Sequence, residues 1–503
     1  MNHRTKSIKN LLFSVLSQGI AIAFGLILPR MWVVSYGSEV NGLLTSLAQF
    51  LVYLSLFEAG IGAATMQALY QPVATDDWDG VNAVLAASHE HYRKTTRWYM
   101  IGLVALCLVY PLVVDSTLSY FTICGAVFFS GIGNAVNFYI QGKYIYLLQT
   151  DGKLYITTTM TTIVNAVINL TKIVLISLQI DIVLILVVSF LIQCTQAVFI
   201  LWYIRRRYPQ VTLNVTPNYA AVAQKNSVLV HQISSLVFRH TDVMILTVFC
   251  DLKVVSVYSM FKLVTSQLET VLSLPLESIK FSLGQTYHTN KELFIKRIRI
   301  VESLYSAAYY ALFAVALFLM LPFMRLYTAG ITDINYIDPL LAVLVVLCSL
   351  LDGNKVIMVN TITFAGHFKQ TAIPSVIESV INLVTSIIGV YFLGIYGVLL
   401  GTVAALLYRS NDIIIYGNRK LLGCRAWESY AIYLVNAVLF FAALGLLNVL
   451  FDPLAITSYW RFILVGFAAS ILSMVVVLGG QLLLFPHCRQ FVRQIVDRIF
   501  HRA

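Results

Sequence analysis

Runs of about twenty apolar residues recur fourteen times along this 503-residue chain, at approximately 11–35, 41–69, 98–114, 118–148, 154–178, 182–204, 227–249, 254–283, 301–328, 338–364, 372–393, 396–417, 429–449 and 461–485. Each is long enough to cross a hydrocarbon layer roughly 30 Å thick. In lipid, an open strand or loop leaves backbone N–H and C=O groups without partners, so the general solution for such runs is the helix. Only 11% of the residues are charged, against roughly 25% in soluble domains, and no soluble domain interrupts the runs. The expected fold class is an all-α polytopic membrane protein with about 14 transmembrane helices.

Loop charge gives an independent check, because lysine and arginine in short loops are retained on the cytoplasmic side. With fourteen spans and an internal N-terminus, cytoplasmic segments hold 23 lysines and arginines, among them Arg93, Lys94, Arg205 to Arg207, Lys296, Arg297 and Arg299. The external loops hold Lys253 and Arg461. Removing one span would invert every later loop and destroy that asymmetry, so an even number of spans with both termini on the cytoplasmic side is expected. The net charge of +11 then reports topology and contact with anionic lipid headgroups, and gives no reason to expect nucleic acid.

The first run follows a basic tail but contains Gln18, continues through Pro29 and Arg30 and has no small-residue cleavage site, so it reads as a retained helix. The seven cysteines form no CxxC pair, which indicates neither a disulfide framework nor a zinc site. No metal, cofactor or catalytic residue is expected. The hydrophilic stretch after Arg205 falls between spans six and seven and divides the chain into lobes at 1–208 and 209–424. An additional helix pair follows at 425–485. Residues 486–503 alternate arginine with apolar residues, which fits a basic amphipathic helix on the inner leaflet or a frayed tail.

Polar residues inside the spans carry the chemistry, since a charged group at mid-bilayer depth costs about 2.5–3.5 kcal/mol on insertion scales. Span five bears Thr158, Thr162, Asn165, Asn169 and Lys172 on one helical face. Span eleven repeats the arrangement with Ser375, Glu378, Asn382 and Thr385, and Val167-Ile168-Asn169-Leu170 recurs as Val380-Ile381-Asn382-Leu383, 213 residues on. Two related lobes around a wet cavity are the expectation, related by an axis along the membrane normal. Span four carries Ser130, Asn134, Asn137, Gln141 and Tyr144, span seven carries Arg239 and Asp242, span eight carries Lys262 and Glu269, span ten carries Asp352 and Lys355, and span two carries Glu58.

A single Ser or Asn in such a stripe is as readily interhelical glue as a ligand contact. Five cations, Arg30, Lys172, Arg239, Lys262 and Lys355, are harder to explain as glue, because each then needs its own acid. Arg239 with Asp242, and Asp352 with Lys355, are candidate same-helix pairs and stand evenly between pairing and ligand contact. Lys172 has no acid on its helix and Lys262 is two turns from Glu269, so these two are the better candidates to meet an anionic substrate. Arg30, after Pro29, is either a cation beside a hinge or an arginine snorkelling to the interface.

The residues Leu28-Pro29-Arg30, Tyr36-Gly37-Ser38-Glu39-Val40-Asn41-Gly42-Leu43 and Leu56-Phe57-Glu58-Ala59-Gly60-Ile61-Gly62 resemble the N-terminal signature of Wzx-type bacterial polysaccharide flippases. These belong to the multidrug/oligosaccharidyl-lipid/polysaccharide exporter superfamily. Leu147 to Asp151 and Gly394-Ile395-Tyr396-Gly397-Val398 fit the resemblance, which spans essentially the whole chain. It implies two six-helix lobes around a central cavity plus two C-terminal helices. The implied substrate is an undecaprenyl-diphosphate-linked oligosaccharide, moved from the cytoplasmic to the external leaflet by alternating access for capsule, exopolysaccharide or O-antigen synthesis.

The resemblance implies diphosphate contact from cations on spans one and eight, where Arg30 and Lys262 stand, and the in-span cations Lys172, Arg239 and Lys355 are candidates to join them. Asn134, Asn137, Gln141, Asn165, Asn169 and Asn382 would face the glycan, and Glu58, Asp242, Glu269, Asp352 and Glu378 would couple an ion or pair internally. Lysine at 262, where the family favours arginine, removes bidentate phosphate binding there. Membrane lipids are implied partners, with a polysaccharide polymerase and chain-length machinery beside them. A cation-coupled multidrug exporter of the same superfamily is the alternative, expected to present an acidic, aromatic cavity. A membrane glycosyltransferase or polymerase is the enzyme reading, and the short external segment around Asp452 disfavours it.

Overall fold

The computed structural model describes the backbone of residues 3–58, 61–222, 226–486, 488–490 and 493, with side chains from Gln18 onward except 57, 141, 222 and 226–232. Among these residues the chain is helical throughout and contains no strand. The helices are α1 (His3–Tyr36), α2 (Ser38–Leu54), α3 (Ile61–Ala74), α4 (Trp78–Val113), α5 (Tyr120–Val136), α6 (Gly142–Thr150), α7 (Leu154–Ser177) and α8 (Ile182–Arg207). They continue as α9 (Asn226–Phe249), α10 (Leu252–Thr289), α11 (Lys291–Tyr327), α12 (Pro339–Ala365), α13 (Phe368–Leu393), α14 (Ile395–Tyr416), α15 (Trp427–Leu450) and α16 (Tyr459–Leu484). Each of the fourteen apolar runs lies on one of these helices or on a consecutive pair, and eleven helices are long and apolar enough to cross a membrane by length and composition. The protein is a multi-pass membrane protein.

Two runs depart from simple spans. The second leaves the α-helix at Ser55: the Ser55 hydroxyl donates back to the Leu51 carbonyl (2.9 Å), a 3-10 turn follows at Ser55–Glu58, and Tyr92 Oη donates to the Glu58 carboxylate (3.0 Å). The fourth carries a π-helical segment, Asn137–Gln141, between α5 and α6. One extra residue in the turn rotates everything that follows, so the expected face Ser130, Asn134, Asn137, Gln141, Tyr144 is not continuous. The same rotation takes Lys143, not singled out in the sequence, into the protein at 4% exposure. Its ammonium bonds His89 Nδ1 (3.0 Å) and the Tyr139 carbonyl (3.1 Å) and lies 4.8 Å from the Tyr144 ring centre.

Contacts gather the chain into two units, Met1–Ser256 and Val257–Ala503. In the first, Leu43, Leu47, Tyr99, Leu103, Ile123, Val127 and Ile185 form a core among α2, α4, α5 and α8. Small residues permit the approach: a Cβ on Gly131 would sit 2.4 Å from Leu103 Cδ1, and one on Gly62 would sit 1.9 Å from Tyr146 Oη. The closest approach is at the start of α2, where a Cβ on Gly42 would lie 1.7 Å from the Leu252 carbonyl oxygen. Asn41 next to it donates to Ser256 Oγ (2.8 Å).

The second unit is held by polar links that lipid cannot compete with. Arg299 on α11 bonds Glu302 (2.8 Å), Ser429 (2.8 Å) and Asn418, and pairs with Glu428 (3.2 Å). Tyr433 completes Glu302 (2.7 Å), while Gln481 on α16 accepts from Ser303 (2.7 Å) and donates to Asn436 (2.6 Å). This lattice fastens α15 and α16 to α11. Arg299, expected as a loop charge beside Lys296 and Arg297, is instead 9% exposed, because two glutamates and two polar side chains converge on it. Most of the tail expected as an amphipathic helix lies outside the described residues.

Two predictions follow from the packing around α2. Replacing Gly42 with alanine drives a methyl group into a backbone carbonyl that cannot rotate away. The expected loss is about 3 kcal/mol, read as a lowered unfolding temperature in detergent. Glu39, before span two, accepts from Ser116 Oγ (2.6 Å), the Thr117 amide (2.6 Å) and Thr117 Oγ1 (2.5 Å). Burial pushes its pKa up, but these donors together with Lys253 outweigh burial and hold it below the usual carboxylate range. The stabilisation is therefore present above the unfolded-state pKa of about 4.3 and disappears as pH falls through the lower folded value. Glu39→Gln should cost about 1 kcal/mol near neutrality, and its unfolding curve should converge on that of the wild type in acid.

Candidate functional site

Within the first unit, α1, α2 and α7 enclose a cavity of about 430 Å³. Asn165 and Asn169 line it from α7, Pro29 and Phe24 from α1, and Asn41 and Thr45 from α2. Among the described residues no charged side chain belongs to its wall. The α7 face arises directly from helical spacing, since Thr162, Asn165, Asn169 and Lys172 follow one another at three and four residues. Among the described residues, Asn165, Asn169 and Lys172 have no hydrogen-bond or ion-pair partner, and Asn165 is exposed. Lys172 stands one turn beyond the cavity wall, half-buried. α1 continues as a helix through Pro29, which carries half-buried Arg30 close to the end of that helix.

The equivalent face in the second unit has a different fate. Ser375, Glu378 and Asn382 are all buried. Asn382 donates to Thr402 Oγ1 (3.0 Å) and Ser386 donates to the Val398 carbonyl (3.1 Å), both on α14. α13 and α14 come together through glycine: a Cβ on Gly397 would fall 2.0 Å from the Gly389 carbonyl oxygen. Here the polar stripe is consumed by packing, whereas on α7 it stays open.

Glu378 anchors a buried ion network. It accepts from Lys355 (2.9 Å) and pairs with Arg409 (3.3 Å); Lys355 also pairs with Asp352 (2.9 Å), and Arg409 with Asp412 (2.8 Å). Three acids meet two bases. The same-helix pair Asp352–Lys355 forms as expected, and it turns Lys355 inward to carboxylates. Glu269 on α10 accepts from Ser349 (2.8 Å), and Lys262 is half-buried on the same helix. Arg409 and Asp412 were missed in the sequence, although they show the same i, i+3 signal on span twelve that Asp352 and Lys355 show on span ten.

The remaining residues do not gather at the α7 cavity. Asn134 is half-buried beside Tyr99 on α5, and Asn137 is half-buried on the π segment. The Gln141 side chain lies outside the described residues. Glu58 belongs to the 3-10 break with Tyr92. The expected pair Arg239–Asp242 is not formed: Arg239 is exposed and Asp242 is 5% exposed, with no ion pair between them among the described residues. Spacing along a helix permits such a contact, but burial of one partner and exposure of the other removes it.

No protein-family model and no curated protein matches this chain. Its fold does match solved structures. One is described as "Lipid II flippase MurJ, inward closed conformation", with a TM-score of 0.63 and 14% identity, covering 93% of this chain and 98% of that one. Another is a multidrug resistance MATE family transporter of the MOP superfamily in an inward-facing conformation, with a TM-score of 0.59 and 14% identity over 81% of this chain and 95% of that one. A MATE structure in the bent conformation gives 0.50 and 14% over 84% and 94%. At this identity the likeness establishes the fold: an all-helical membrane architecture shared with a lipid flippase and with drug transporters.

Matched asparagines on the two repeated faces provide a direct test. Asn382→Ala removes a fully buried hydrogen bond and should cost about 1–3 kcal/mol. Asn169→Ala removes a side chain with no partner and should leave the unfolding temperature within about 0.5 kcal/mol of wild type. Equal losses at both positions would mean that the α7 face is packed as tightly as that on α13.

Proposed function

We propose that the protein is a flippase that carries an undecaprenyl-diphosphate-linked oligosaccharide from the cytoplasmic to the external leaflet by alternating access, for cell-surface polysaccharide synthesis. The observation that carries the reading is Lys172, a membrane-depth cation with no counter-charge among the described residues, next to Asn165 and Asn169, whose amides are likewise unpartnered. A lone lysine in a span is costly, and a bound diphosphate supplies the missing negative charge. The amides offer both donors and acceptors for sugar hydroxyls, and the uncharged wall of the cavity suits a neutral glycan.

In this reading Lys172, with Arg30 and Lys262, meets the diphosphate; Asn165 and Asn169 meet the glycan; and the Glu378 network, with its excess acid, is the place where an ion or proton would couple. Lys355 is assigned to that network instead of to the substrate. The protein performs no covalent step, resides in the cytoplasmic membrane with both termini inside, and supplies a polymerase with exported repeat units. Cation-coupled drug export remains the second reading, favoured by the MATE-like fold and the acid excess in the second unit. The α7 cavity has no acid to attract a cationic drug.

The deciding experiment is leaflet-resolved detection of lipid-linked oligosaccharide in cells lacking the protein. Intact repeat units should accumulate on the inner leaflet, and the wild type should clear them. Lys172→Ala should lower the rate of clearance by at least about tenfold, corresponding to loss of about 1.4 kcal/mol or more of charge-assisted contact. Absence of any accumulation, together with increased sensitivity to cationic drugs, would transfer the assignment to drug export.

A further inference from the structure

In the second unit, the end of α10 borders a cavity of about 920 Å³ whose wall is unlike that of the α7 cavity. Lys280 and His288 from α10 and Arg297 from α11 line it, and among the described residues no carboxylate does. Arg297 donates to Thr286 Oγ1 (3.1 Å), which holds the guanidinium beside α10. His288 Nε2 donates to the Phe364 carbonyl (3.1 Å), leaving Nδ1 available to a ligand. The acid next to Lys280, Glu277 at 3.0 Å, has a side chain 60% exposed to the surroundings. Phe281, 76% exposed, and Phe364 supply an apolar flank.

Three groups able to carry positive charge, with aromatic flanks and no lining acid, suit a phosphate attached to an apolar chain. The depth agrees: span eight ends near residue 283, so on the topology proposed above this pocket lies at the level of the inner-leaflet headgroups. Pro275 lies within α10 above it, where the missing backbone N–H weakens the helix. A ligand that bridges Lys280 and His288 to Arg297 would therefore tie the segment beyond the proline to α11. We infer that this pocket is a binding site for the phosphate of an inner-leaflet lipid, separate from the Lys172 site. It goes beyond the flippase reading and shares only its topology.

Native mass spectrometry of the full chain released from detergent tests this inference, with phosphatidylglycerol, phosphatidylcholine and polyprenyl diphosphate as separate probes. Each basic residue near a lipid phosphate contributes about fivefold in affinity, so Lys280→Gln with Arg297→Gln should weaken retention of the bound probe by about 30-fold. Glu277→Gln, which keeps every cation and removes the neighbouring acid, should strengthen it, an effect that misfolding cannot produce. Lys172→Ala, which belongs to the diphosphate site proposed above, should leave retention of phosphatidylglycerol unaltered. Preferential loss of phosphatidylglycerol assigns the site to resident phospholipid, and preferential loss of the diphosphate assigns it to cargo awaiting transport. Retention of every probe unchanged by the double substitution, or equal retention of phosphatidylcholine and phosphatidylglycerol by the wild type, overturns the inference. Because binding is read without transport, failure here leaves the flippase assignment standing, and failure of that assignment leaves this site standing.

Discussion

A polar side chain within a membrane span must find a partner in protein, in water or in a ligand. This requirement organises both units. Where a neighbouring helix offers a partner, polar residues become cross-links, as with Arg299 and its four partners or Glu378 between Lys355 and Arg409. Where no neighbour offers one, the polar residues mark a place that something else must fill. Asn165, Asn169 and Lys172 are of this second kind.

The contrast between α7 and α13 is informative because the two faces are related in sequence. Each position of the α7 stripe has its counterpart 213 residues later, Asn165 at Glu378 and Asn169 at Asn382. Gly389 and Gly397 bring α13 and α14 together until their backbones touch, and the stripe is closed off by Thr402 and the Val398 carbonyl. Among the described residues no such closure covers Asn165 or Asn169, so one face lines a cavity whereas the other is packed and carries an ion network. The network on α12, α13 and α14 sets three acids against two bases, while Lys172 on α7 has no ion-pair partner among the described residues.

Much of the candidate site was legible in the sequence. Helical spacing identified the α7 stripe and the Asp352–Lys355 pair, and the absence of an acid near Lys172 was visible by inspection. What spacing misled about is equally specific. Lys355 looked like a substrate ligand until α13 placed Glu378 against it. Arg239 and Asp242 satisfied the i, i+3 rule yet are separated by their different burial. The face on span four was drawn for an α-helix, and a single π turn redirected it. Arg299 counted as a loop charge because its sequence neighbours are basic, whereas, besides Glu302 on the same helix, its partners Asn418, Glu428 and Ser429 lie more than a hundred residues away.

The sequence by itself determined the class, the number and order of the apolar runs and their helical state, because hydrophobic length and the need to satisfy backbone hydrogen bonds in lipid are local properties. It also showed which polar residues share a helical face, since that depends only on periodicity. The tertiary structure alone decided which of those faces are covered. Whether an asparagine bonds a threonine on the next helix or looks into a cavity depends on how near the two backbones come, and that distance is set by residues far away in the chain, such as the glycines where α13 meets α14.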